Sequence, residues 1–233
     1  MSDQLQASGP SNLRAAFDTF VADTFHRKAL FDLNARSASG ATSSVTKLPL
    51  GYFERHLYFV TFHVRPGAYS AKDGFSSYNA QPIFSAFKSW YLSICRMLLG
   101  PKFNKRPLLQ PFTMAFLDVE GSRFGHAAKA FEIPHIHALM LVHPKVGNGF
   151  KALIGSARLT STEDIRIGKI EIEPFKDDSR GSGPMMTYAA KYPRSVIENA
   201  RHETPWWSYP DLKPETFAYL RAAVQKSATV AAE

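Results

Sequence analysis

Pro134-His135-Ile136-His137-Ala138-Leu139-Met140-Leu141-Val142 is the stretch on which the reading of this chain turns. An apolar run of this length, bounded by proline and interrupted only by two histidines, reads as a β-strand. Side chains on a strand alternate between its two faces, so residues 135, 137, 139 and 141 share one face and 136, 138, 140 and 142 the other. The first face begins with two imidazoles and ends with two leucines, which sets a metal-capable pair at the end of a packed sheet. With eight histidines in 233 residues, composition alone supplies a His-x-His in about one such chain in four. The bland alternative is a pair of partly exposed strand residues bonded to their neighbours. The surrounding segments decide between the two.

The strand is flanked by others of its kind. Leu57-Tyr-Phe-Val-Thr-Phe-His-Val64 is aromatic and β-branched and is closed by Arg65-Pro66-Gly67, which predicts a strand. Phe112 to Glu120 reads as a second, Ile133 to Val142 as the third, and Asp164 to Phe175 as a fourth. In the last, the alternation slips at Gly168-Lys169, the pattern of a β-bulge. Between the first two strands, Pro82 to Leu99 carries Ile83, Phe84, Phe87, Trp90, Tyr91, Ile94 and Leu98 along one helical stripe, and Gly100-Pro101 ends it. A shorter helix is expected near Phe150–Ile154. Gly181-Ser-Gly-Pro184 opens another, with Met185 to Tyr192 as its body and Pro184 at its first position. This order predicts an α+β fold with a central, mainly antiparallel sheet flanked by helices.

Outside this region the chain is simpler. Residues 1–46 read as an N-terminal extension: a helix from Asn12 to about Leu33, then a small-residue linker over 35–46. Residues 47–203 form the expected catalytic domain, and 204–233 a C-terminal helical tail. The composition fits one large domain with extensions, since 45% apolar residues and 18 phenylalanines can build a substantial core. A net charge of +8 and a pI near 9.6 favour a polyanionic partner. Cys95 is the only cysteine, so an intrachain disulfide and a zinc ribbon are excluded, and the thiol reads as a buried small side chain. With neither a signal-peptide pattern nor an apolar run of about 20 residues, the expected location is the cytoplasm, away from membranes.

Three segments carry chemistry. His135 and His137 form the first. Glu120, at the end of the preceding strand, is the carboxylate chosen to join them, with Asp118, His126, Glu132 and Glu171 as replacements. Two imidazoles and a carboxylate suit a divalent ion with open positions, magnesium and manganese as well as zinc. The third segment, Tyr188-Ala-Ala-Lys191-Tyr192, places a phenol three and four positions from Lys191 and Tyr192 on one helix. A phenol with an ordinary pKa near 10 is a poor nucleophile unless a nearby ammonium or metal favours the phenolate or polarises the electrophile. Pro193 biases Tyr192 away from helical geometry, so the second tyrosine stands where this helix ends. The ordinary alternative is an amphipathic helix with tyrosines at its edge.

Weaker candidates are Lys102, Lys105 and Arg106 with Phe103, which could follow a DNA backbone but read more simply as a solvated loop. Trp206-Trp207 could stack on single-stranded DNA, with core packing the favoured reading. His63 and His143 fall near the strands of the site without an assigned role.

Taken in order, Tyr58-Phe-Val-Thr-Phe-His63, Pro134-His-Ile-His-Ala138 preceded by Glu120-Gly121, and Tyr188-Ala-Ala-Lys-Tyr192 resemble the three motifs of the HUH endonuclease superfamily. The likeness is specifically to rolling-circle replication initiator (Rep) proteins, the paired tyrosines being similar to those of two-tyrosine initiators, over roughly residues 52–200. The resemblance implies a ferredoxin-like HUH fold with the histidines at the centre of the sheet. It also implies a site-specific single-strand DNA endonuclease and strand transferase. His135, His137 and Glu120 would hold Mg2+ or Mn2+, Tyr188 would form a 5′-phosphotyrosyl link, Lys191 would stabilise charge, and Tyr192 would serve as second nucleophile. The implied partners are single-stranded or supercoiled origin DNA together with a host helicase and polymerase, since the chain has no Gly-x-x-x-x-Gly-Lys-Ser/Thr loop. The rival readings are an HUH transposase or relaxase, and a non-catalytic nucleic-acid-binding module of ferredoxin-like fold.

Overall fold

Strands β1 (Leu57–Val64), β2 (Phe112–Val119), β3 (Pro134–Leu141) and β4 (Ile167–Pro174) form where the alternation of the sequence predicts them. A fifth, β5 (Trp206–Tyr209), joins them. The computed structural model describes residues 10–37, 46–65, 68, 81–119, 134–156, 158–160, 164, 166–176 and 206–210. The helices are α1 (Pro10–Ser37), α2 (Tyr52–His56), α3 (Gln81–Leu99) and α4 (Gly147–Gly155). The helix expected over 184–192 lies outside the described residues.

All neighbouring strands are antiparallel, in the order β4-β1-β3-β2-β5. The chain runs β1-α3-β2-β3-α4-β4, the split βαβ arrangement of ferredoxin-like folds, with β5 added at the edge beside β2. β3 is thus central. From Ile136 to Leu141 it is buried, because both faces of the sheet are covered there.

One face is covered by α3 and α4. It gathers Tyr58, Val60, Phe62 and Val64 of β1, Ile136, Ala138 and Met140 of β3, and Ile83, Phe87, Trp90, Tyr91 and Ile94 of α3. Phe62 is the pivot, with ring centroids 5.4 Å from Phe87 and 5.9 Å from Trp90. α3 ends at Gly100 with φ at +79°, where its N–H donates to the Arg96 carbonyl at 2.9 Å. That left-handed stop is accessible to glycine and strained for other residues. Cys95 is buried in this layer, and burial pushes its thiol up to about 11, which leaves it inert at neutral pH.

The other face is covered by α1. Val21, Phe25 and Ala29 pack against Leu57, Phe59, Phe112, Met114, Phe116, Leu139 and Leu141, and the Phe25 and Phe112 rings meet at 5.2 Å. Residues that belong to the N-terminal extension in the sequence reading thus cover one face of the sheet and join its core. At the far end of α1, Lys28, Asp32 and His143 are all buried. Lys28 Nζ lies 2.5 Å from Asp32 Oδ1, and His143 Nε2 stands 3.9 Å from the same oxygen.

Two local features bear on the expectations. The bulge in β4 is present: His63 pairs with Lys169 but Val64 with Ile167, so Gly168 is the extra residue. Residues 206–209 correct the expectation of an entirely helical tail over 204–233. Trp and Tyr favour strands; here Trp207 and Tyr209 pair with Ala115 and Thr113 of β2. Trp207 stacks on Phe84 at 5.7 Å, and the Tyr209 hydroxyl donates to the Phe84 carbonyl at 3.2 Å. This is the packing role favoured for Trp207. Phe103 is likewise built into the core beside the exposed Lys102, Lys105 and Arg106, so its ring is not free to stack on a base. No helix among the described residues is long and apolar enough to cross a membrane.

Candidate metal centre

The central strand presents His135 and His137 on the α1 face, just past the end of the apolar layer formed by Leu139 and Leu141. Antiparallel pairing sets Asp118 of β2 opposite His135 and Phe116 opposite His137. The Asp118 carboxylate therefore arrives from the neighbouring strand on the same face as both imidazoles. Asp118 Oδ2 lies 3.2 Å from His135 Nε2 and 3.0 Å from His137 Nε2. The two Nε2 atoms are 3.2 Å apart. The carboxylate is fully buried, and the imidazole of His137 is 5% and that of His135 15% exposed. The triad thus opens to solvent on the His135 side.

These three spacings fit a cation site. Around an ion with ligand bonds of about 2.1 Å, adjacent donors stand ~3.0 Å apart at a right angle and ~3.4 Å apart at the tetrahedral angle. Three donors at 3.0 to 3.2 Å are therefore spaced as one face of a coordination shell, with the remaining positions left for water or substrate. Thr61 Oγ1 lies 3.3 Å from His137 Nδ1, and when Nδ1–H donates to that hydroxyl the Nε2 lone pair points to the centre. Two imidazoles and a carboxylate converging in this way are a donor set that a shared positive charge would hold together.

A second polar group lies beside the first. His63 of β1 is registered against His135, and the two rings stack with centroids 5.9 Å apart and planes 22° from parallel. His63 Nε2 is 3.0 Å from Glu171 Oε2, and the other Glu171 oxygen pairs with the Lys169 ammonium. The Lys169 and then the His63 hydrogen bond hold the Glu171 carboxyl below its ordinary value.

Of the residues singled out from sequence, His135 and His137 come together as the strand pattern requires. Among the described residues Asp118, named as a replacement for Glu120, is the carboxylate that stands with them. Glu120, His126, Glu132, Tyr188, Lys191 and Tyr192 lie outside the described residues. Glu171 is drawn to His63 instead. His143 belongs to the buried Asp32 pair beyond the opposite end of β3. The role of Thr61 was missed, although its register with His137 follows once β1 and β3 are paired antiparallel.

Comparison with protein-family models, with curated proteins and with solved structures finds no match for this chain.

Proposed function

We propose that this protein is a metal-dependent, site-specific single-strand DNA endonuclease and strand transferase of the HUH type, initiating rolling-circle replication. The observation that carries the reading is the Asp118/His135/His137 triad on the central strands of a ferredoxin-like antiparallel sheet. The motif order of the sequence and the basic charge support it. In this reading Asp118 takes the place first given to Glu120, and the three residues hold Mg2+ or Mn2+. A divalent ion in such a site polarises a phosphodiester and offsets the negative charge that develops on it.

The chain's own groups do the rest. The Tyr188 phenolate attacks phosphorus; a P–O bond to tyrosine forms as the bond to the departing 3′-oxygen breaks. The DNA 5′-phosphate stays on Tyr188, and the 3′-hydroxyl primes synthesis. Lys191 stabilises the phenolate, and Tyr192 attacks in the reverse or second transfer. Phenolate attack conserves the energy of the phosphodiester, which allows the strand to be rejoined without another energy source.

The test is a covalent adduct. The full chain, incubated with Mn2+ and a random-sequence single-stranded oligonucleotide pool or origin DNA, is expected to yield a denaturation-resistant protein–DNA species. Peptide mapping should find the label on Tyr188, and Tyr188→Phe should lower the yield at least 100-fold. DNA binding without any adduct, or an adduct undiminished in Tyr188→Phe, overturns the reading.

A further inference from the structure

β1 and β3 carry matching patterns on the metal-site face. Thr61 is registered against His137, and His63 against His135. Thr61 meets the outer nitrogen of His137 at 3.3 Å, so one histidine has a hydrogen-bonding partner on β1. The other histidine, which is the more exposed, has an aromatic one. The His63 ring lies over it at 5.9 Å, and Glu171 Oε2 holds His63 Nε2 at 3.0 Å. Lys169 in turn engages the second oxygen of Glu171. Four side chains from three strands thus run in a row from the exposed edge strand to the triad.

The β4 bulge makes that row possible. Ile167 and Ile170 both face the α3 layer, which a strictly alternating strand cannot arrange at a separation of three. Gly168 takes up the odd residue, so Ile167 stays in the core while Lys169 and Glu171 remain on the face of His63.

We infer that His63, braced by Glu171 and Lys169, is a positioning residue that sets the ring of His135 for divalent-cation binding. The triad provides the donor atoms, and β1 with β4 sets their angles. Hydrogen-bonded partners one step removed from the ion typically change metal affinity 10- to 100-fold, and the stacked His63 ring, itself fixed by Glu171, is expected to act on that scale. The inference rests on the triad binding a divalent cation and is independent of whether the protein cuts DNA.

Mn2+ affinity of the full chain, read from the EPR signal of the free ion, tests it, with Co2+ visible spectra reporting ligand geometry. Asp118→Asn is expected to lose binding at least 100-fold. His63→Ala and Glu171→Gln are expected to weaken it about 10- to 100-fold and to alter the Co2+ spectrum, with melting temperature held. Lys169→Ala separates positioning from simple charge. Removing a positive charge near a cation site tightens binding if only Coulomb attraction counts; loss of the brace weakens it. Should His63→Ala fail to fold, Glu171→Gln and Lys169→Ala decide, because both side chains lie at the exposed edge. If Asp118→Asn binds as the unaltered chain does, or if the unaltered chain binds no Mn2+, the metal reading falls and the inference with it. If Asp118→Asn loses binding while Glu171→Gln and Lys169→Ala bind as tightly as the unaltered chain, the inference alone falls.

Discussion

Asp118 is paired in register with His135, yet its Oδ2 lies closer to His137 Nε2, at 3.0 Å against 3.2 Å. The Asp118–His137 contact runs along the diagonal of the β2–β3 ladder, within reach of an aromatic side chain across antiparallel strands. One oxygen thereby faces both imidazoles.

Such a site stabilises the fold when filled. A ligand that binds only the folded chain adds about 2.7 kcal/mol at a hundredfold excess over its Kd, which corresponds to ~5–10 °C in Tm for a domain of this size. Mn2+ is expected to raise Tm by that amount in the unaltered chain and by less than ~1 °C in Asp118→Asn, measured by calorimetry before and after chelation. Equal shifts in both proteins would place the bound metal elsewhere.

The sheet and half of this site were legible in the sequence, for a physical reason. Period-two alternation in 57–64, 112–119 and 134–141 assigns faces directly, and two histidines two residues apart must then share one. The slip at Gly168-Lys169 was legible on the same ground, because two isoleucines three apart cannot both face the core without an extra residue between them. The choice between Asp118 and Glu120 was not legible, since the alternation of the sequence assigns both to one face of the predicted strand. The β2–β3 register then sets Asp118 opposite His135, while Glu120 lies outside the described residues. The strand at Trp206–Tyr209 escaped notice because four residues give too short a run for periodicity to register. The share of α1 in the core was equally hidden. Val21, Phe25 and Ala29 show a helical stripe but not the surface that it covers.

The Lys28–Asp32 pair yields a prediction of opposite sign to that for most carboxylates. Burial is the largest influence on Asp32 and raises its pKa from 3.8 to about 6, against the lowering effect of Lys28. The folded state therefore binds a proton more readily than the unfolded chain. The contribution of Asp32 to stability is fully present below pH ~4 and is lost as pH rises through about 6. His143 faces the same carboxylate at 3.9 Å. Lys28→Met with Asp32→Leu is expected to be about 1–4 kcal/mol more stable than the unaltered chain at pH 7, and to lose that advantage as pH falls from 6 toward 4. Lys28→Met alone should cost about 3–5 kcal/mol at pH 7, because it leaves the buried carboxylate unpaired. Urea titrations of the three proteins between pH 4 and 7 check both signs.

Phe62 tests the packing that holds the site from behind. It lies between Thr61 and His63 on β1 but points to the α3 layer, fully buried against Phe87 and Trp90. Phe62→Ala should cost about 3–5 kcal/mol, as read from chemical denaturation. Phe62→Leu, which keeps most of the volume, should cost much less and retain most of the Mn2+ affinity. A large loss of affinity in Phe62→Leu at near-normal stability would mean that the face opposite the triad, and not the row from His63 to Lys169, governs its geometry.

Binding and cleavage of DNA should come apart on removal of metal. Attraction of a basic chain to phosphates depends on charge and salt, whereas the proposed attack by Tyr188 needs a phosphodiester polarised at the Asp118/His135/His137 triad. Chelation, or Asp118→Asn, is therefore expected to abolish the covalent adduct while changing single-strand affinity less than about threefold, with the steep salt dependence kept. Gel-shift titrations run beside adduct assays on the same samples measure both. Tyr192→Phe should still form the first adduct and lose transfer to a second strand. If chelation removes binding and adduct together, the metal organises the DNA interface as a whole, and a role confined to the scissile phosphate is excluded.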